Sequence, residues 1–139
     1  MATGSRSRHP AQATIELALV VPGLLVGLFL VTAVGLVARA DGEVAGVAVE
    51  AARAGALVSS AADVEPTAVD RATAVAAAYG MSPERLDVLV DESQFHRGGS
   101  VRVDVTYQLP LDSLPLIGWG TVQLHHLAVE PVDTFRSLL

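Results

Sequence analysis

The sequence predicts an α+β chain: a long N-terminal helix apolar enough to be transmembrane, one short helix, then a small antiparallel sheet of about three strands. Three observations carry this. Leu17 to Ala38 holds no charged side chain. Apolar residues then recur at helical spacing as far as Gly80, and beyond Leu86 they alternate with polar ones, the period of a half-buried strand.

The first element follows from its length. An uncharged run of about 22 residues crosses the roughly 30 Å hydrocarbon core of a bilayer. The fifteen Leu, Val, Ile and Phe residues between Ile15 and Val37, at a few tenths of a kcal/mol each, favour insertion by several kcal/mol. Three readings compete. A buried core helix would show a polar stripe, and only Thr32 interrupts the run, a residue that can bond back to its own helix. A secretory signal is supported by the small-x-small triplet Ala38-Arg39-Ala40, whose cleavage would leave a chain starting at Asp41. A retained span is favoured over both, because the run exceeds a signal's apolar region, Glu16 stands at its entrance and helical patterning continues past the triplet.

The chain therefore divides into a basic leader over 1–11, a long helix over 12–59 with its span at about 16–38, and a small extracytoplasmic α+β domain over 60–139. Arg6 and Arg8 precede the span, whereas Arg39 follows it beside Asp41 and Glu43. Counting basic residues places the N-terminus in the cytoplasm and the C-terminal domain outside. Pro22 removes one helical backbone bond and predicts a kink. Gly23 and Gly27 form a G-x-x-x-G pair, and Gly35, Gly42 and Gly46 lie on an arc near that face. Such a groove of small residues lets neighbouring helices approach closely, although glycine is also simply common in membrane helices.

Past Arg39, Val44, Val47, Ala51, Ala54 and Val58 form one seam, with Arg39–Glu43 and Glu50–Arg53 spaced for surface ion pairs. Ser59-Ser60 marks a break. Pro66 suits the first turn of a second helix that starts at Asp63 or Glu65, buries Val69, Ala72, Ala76 and Tyr79, and stops at Gly80. Strands follow at 86–91, at 101–109 with Val101, Val103, Val105, Tyr107 and Leu109 on one face, and at about 121–129. In the last, apolar residues change phase between Leu124 and Leu127, which predicts a bulge at His125-His126. The proline-marked segment Leu114 to Trp119 predicts a loop folded over the open end of the sheet, or one touching lipid or a neighbour.

Composition narrows the function. The net charge of -6, carried largely after Asp41, repels phosphates and argues against nucleic acid. The chain has no cysteine, which removes disulfides and thiolate metal sites. His125 and His126 are adjacent on a strand and point to opposite faces, a poor pair for one metal; with His96 they read as solvated surface residues. Asp87, Asp91, Glu92 and Asp104 read as a solubilising face, with weak divalent-cation binding and a metal-dependent hydrolase as the lesser reading. There is no phosphate loop, nucleophile elbow or H-E-x-x-H motif. We expect no enzyme activity, no cofactor and no metal.

The segment Ala13-Thr14-Ile15-Glu16-Leu17-Ala18-Leu19-Val20-Val21-Pro22 resembles the start of TadE-like proteins, minor pilins or pseudopilins of the tight-adherence branch of type IV pilus systems. Val49 to Ala56, Tyr107 to Leu111 and Ala128 to Asp133 are also similar to that family. The resemblance implies a single-pass inner-membrane precursor, trimmed by a prepilin peptidase and built with other pilin-like subunits and assembly proteins into a pilus or related secretion apparatus. It maps the family's glutamate onto Glu16 and the cut between Ala11 and Gln12. Pro10-Ala11 stands where the family usually has glycine, so an uncleaved, permanently anchored protein is the alternative. A carboxylate at the bilayer edge is costly unless paired, and the freed amine of a neighbouring Gln12 would pair with Glu16 and set the stagger between subunits. Otherwise Glu16 only complements the macrodipole in a first helical turn. A membrane-tethered or secreted binding module without a pilus role is the competing function.

Overall fold

The computed structural model describes residues 9–112 and 119–134, with side chains from Thr14 onward. Its elements are helix α1 (His9–Ala56), a 3-10 turn at Ala61–Asp63, helix α2 (Val64–Ala78), a 3-10 turn at Pro83–Arg85, and strands β1 (Leu86–Asp91), β2 (Ser100–Pro110) and β3 (Thr121–Pro131). This is a pilin-like α+β arrangement: a long apolar N-terminal helix, a short helix and a three-stranded antiparallel sheet in the order β1-β2-β3. The chain divides into two compact units between Leu36 and Val37, inside α1.

The first unit contributes the apolar part of α1. Its most apolar window has no buried residue. Ile15, Leu19, Leu24, Val31 and Val34 are each more than 65% exposed. Thr32 donates its hydroxyl to the Leu28 carbonyl at 2.9 Å, so its one polar group is satisfied within the helix. Pro22 lies inside α1 and leaves the Ala18 carbonyl without its helical donor.

The second unit is built on small side chains. Its fully buried larger residues are all valines: Val44, Val47, Val64, Val101, Val103, Val105 and Val132. Ala48, Ala51, Ala52 and Ala56 of α1 and Ala68, Ala72 and Ala76 of α2 join them in the core, with Met81, Tyr107 and Leu124 as its larger members near the edge. Alanine and valine bury little area each, but they let backbones come close and gain dispersion contacts. The two helices run antiparallel, as three contacts along them show. Tyr79 meets Gly46, Arg71 reaches Glu50, and Val64 and Ala68 press on Gly55.

A side chain at Gly55 would bring its Cβ within 3.3 Å of the Val64 and Val101 methyls and 3.4 Å of Ala68. Glycine here is what allows α1 to sit against both α2 and the sheet. In α2 the buried row is Val64, Ala68, Ala72 and Ala76, which corrects the expected seam. Val69 is only half-buried and Tyr79 is exposed, because a strict four-residue row of small residues gives the flatter, closer contact face. The helix ends as Gly80 predicts. Gly80 takes φ 78°, Met81 N–H bonds to the Ala76 carbonyl at 2.9 Å, and Gly80 N–H bonds to Ala77 at 3.0 Å.

The strands lie within two residues of their expected ends. Pairing of β2 with β3 is one-to-one from Ser100↔Pro131 to Pro110↔Thr121, so the expected bulge at His125-His126 is absent. Instead Val122, Leu124, His126 and Ala128 face the helices, while Leu127 and Val129 lie on the outer face, 57% and 50% exposed. The phase change is real, but the strand accommodates it by turning a histidine inward and two apolar residues outward. The Leu114–Gly118 part of the expected loop lies outside the described residues; Trp119 is 82% exposed.

Replacing Gly55 with leucine overfills this junction, and we expect a loss of about 1–3 kcal/mol, read as a lowered thermal midpoint of the full chain in detergent by circular dichroism. A Gly23→Leu change, where a Cβ meets nothing within 4 Å, leaves that midpoint unchanged.

Candidate functional site

No described group of three or more His, Asp or Glu side chains converges to hold a metal, and the acidic outer face resolves into separate local interactions. Asp104 accepts from His125 at 2.8 Å. Asp91 accepts the Ser93 backbone N–H at 3.0 Å, and its hydrogen bonds to Ser93 hold its carboxyl below the ordinary value. The two neighbouring histidines do point to opposite faces. They are not merely solvated, however: His126 turns toward α1 and pairs with Asp41 at 2.9 Å. That bond ties β3 to the helix across 85 residues of chain. His96 lies in the β1–β2 connection, its ring within 3.2 Å of the Arg97 carbonyl.

The candidate site is therefore the helix itself. Glu16 is exposed where the apolar stretch begins. Since α1 begins at His9, Glu16 lies nearly two turns inside the helix rather than in its first turn, and a macrodipole effect fades over that distance. Ala11 and Gln12 fall within the first turns of α1. Of the five glycines on the expected packing arc, a Cβ at Gly23, Gly27, Gly35 or Gly42 would meet nothing within 4 Å. Gly46 differs, since a Cβ there would stand 3.3 Å from the Tyr79 hydroxyl. Gly46 thus serves the contact with α2 in its own chain.

The polar groups just beyond the apolar stretch are paired with one another. Arg39 donates to Glu43 at 2.8 Å, four residues on, and this bond raises the Arg39 pKa further. Glu50 lies 3.8 Å from Arg53, as spacing predicts, but its stronger partner is Arg71 of α2 at 2.7 Å. The Arg71 guanidinium holds the Glu50 carboxyl below the ordinary carboxylate value. Spacing along one helix carries no signal of a partner 21 residues away.

No protein-family model, curated protein or solved structure matches the chain. What the residues themselves establish is one N-terminal helix long and apolar enough to cross a membrane, a property shared by an anchor and a secretory signal.

Because the folded-state pKa of Glu50 is depressed, the Glu50–Arg71 pair stabilises the fold above the ordinary carboxylate pKa of 4.5 and loses that contribution as pH falls through the depressed value. Glu50→Gln should therefore lower the thermal midpoint slightly at pH 7. The difference from the parent should shrink below pH 4.5 and vanish once the carboxyl is protonated, checked by melting both proteins across an acid series.

Proposed function

We propose that this chain is a TadE-like pilin or pseudopilin, a membrane-anchored structural component of tight-adherence type IV pilus assembly or a related secretion apparatus. The observation that carries the reading is the unburied apolar stretch of α1, entered by a single carboxylate and set in a pilin-like α+β chain. A helix that is apolar all round needs lipid or other helices as its solvent. No side chain between Thr14 and Leu36 belongs to the buried core of the chain.

In this reading the N-terminus lies in the cytoplasm and the Val37–Leu139 unit outside. Prepilin peptidase cuts between Ala11 and Gln12, and the new amine of one subunit pairs with Glu16 of the next. Gly23, Gly27, Gly35 and Gly42, open on their own chain, are where neighbouring helices approach. The role is structural, without catalysis, and the partners are the inner membrane, other pilin-like subunits and the assembly proteins.

Glu16 gives the test. Glu16→Gln should leave membrane insertion intact while abolishing recovery of the chain with its assembly partners after cross-linking. Normal recovery with unchanged partners would remove the registry role. Mass spectrometry of the mature chain should find Gln12 at its start, or Met1 if it is permanently anchored. A start at Asp41 would show a cleaved signal and end the pilin reading.

A further inference from the structure

Among the described residues the sheet has two unpaired edges, and they are unequal. β3 presents eleven residues with no lysine or arginine and no bulge, and its charged Glu130 and Pro131 stand at one end, so most of its length lacks the devices that usually guard a strand edge. No described strand pairs with it, nor with the outer edge of β1.

The backbone groups each edge offers follow from the ladder. The β2–β3 pairing is flanked by Val132 N–H to the Gly99 carbonyl at 2.9 Å and by Leu111 N–H to the Gly120 carbonyl at 3.1 Å. With unbroken register between them, even-numbered residues of β3 bond inward to β2. Gln123, His125, Leu127 and Val129 therefore turn their N–H and C=O groups to the open edge. By the same alternation along β1↔β2, Leu86, Val88 and Val90 turn theirs to the edge of β1.

Two of the three outer-face rungs match from edge to edge, while the third sets Val129 opposite Asp91. Leu89, Asp104 and Leu127 share one rung of the outer face, and Asp87, Thr106 and His125 the next. Leu89 and Leu127, at opposite edges of one rung, are 64% and 57% exposed. A second copy in the same sense, its β1 laid parallel to β3, sets Leu127 beside the partner's Leu89 and His125 beside the partner's Asp87. In that register the N–H and C=O of Leu127 meet the carbonyl of the partner's Val88 and the N–H of the partner's Val90, as parallel pairing requires.

We propose that the β3 edge of one copy receives the β1 edge of the next, joining the sheets of successive subunits. Three strands advance the sheet by about 14 Å per copy. The contact is heterologous and so propagates, unlike a two-fold pairing of β3 with itself. This choice of partner rests on the pilin reading, in which same-sense copies accumulate on one membrane.

The absence of native cysteine allows a direct test on the full chain in its membrane. Within one molecule Leu89 and Leu127 are separated by β2 and cannot be bridged. Under mild oxidation, L89C/L127C should give a ladder of covalent dimers, trimers and higher species, and a co-expressed mixture of L89C and L127C should give dimers alone. L89C/T121C, about 20 Å out of register, should give none. A covalent dimer from L127C alone would overturn the proposal in favour of antiparallel β3 pairing. Monomer throughout, from protein that sediments with membranes and melts like the parent, would overturn the edge contact while leaving the pilin reading standing. Failure of the parent to sediment with membranes would instead strike the reading itself.

Discussion

The unburied apolar stretch of α1 is the constraint on which everything else turns. Between Ile15 and Val34, twelve large aliphatic side chains are exposed. These side chains are 42–81% exposed, so at about 1.5–3 kcal/mol for the full burial of each, roughly 11–22 kcal/mol of burial is left unrealised by this chain alone. That is as large as the whole stability of an ordinary domain. On the proposed reading, lipid or the helices of its neighbours cover this stretch. The described residues from Val37 onward instead bury a core of valine and alanine with Met81, Tyr107 and Leu124, and no described polar or charged residue is buried in it.

This second unit is held by closeness rather than bulk. Gly55 lets α1 touch α2 and β2 at once, Gly46 accepts the Tyr79 ring, and the row Val64-Ala68-Ala72-Ala76 gives α2 a smooth face. Polar ties then fix positions that small side chains alone would leave free to slide. Glu50–Arg71 joins one helix to the other at the surface, and His126–Asp41 ties β3 to α1 just beyond the apolar stretch.

Much of this was legible in the residues because it is local. Charge-free length gave the apolar helix, strict alternation at Val101–Leu109 gave β2, and Gly80 gave the end of α2. The misses share a physical cause. Whether Glu50 chooses Arg53 or Arg71, whether the small face of α2 is centred on Ala68 or Val69, and whether His126 points to water or to Asp41 all depend on what lies across the fold. The phase change in β3 was visible, but a bulge and an inward histidine produce the same pattern along the chain. Only the partner Asp41 distinguishes them. Gly55 was hidden for the same reason, since a lone glycine near a helix end looks alike whether it is crowded or open.

If the apolar stretch stays on the mature molecule and is covered by lipid or by like helices, an alkaline carbonate wash of membranes carrying the full-length protein leaves the chain with the bilayer. The Thr14–Leu36 segment is then protected from protease, and only detergent releases the chain. A mature protein recovered in the wash as a detergent-free, water-soluble monomer rules this out.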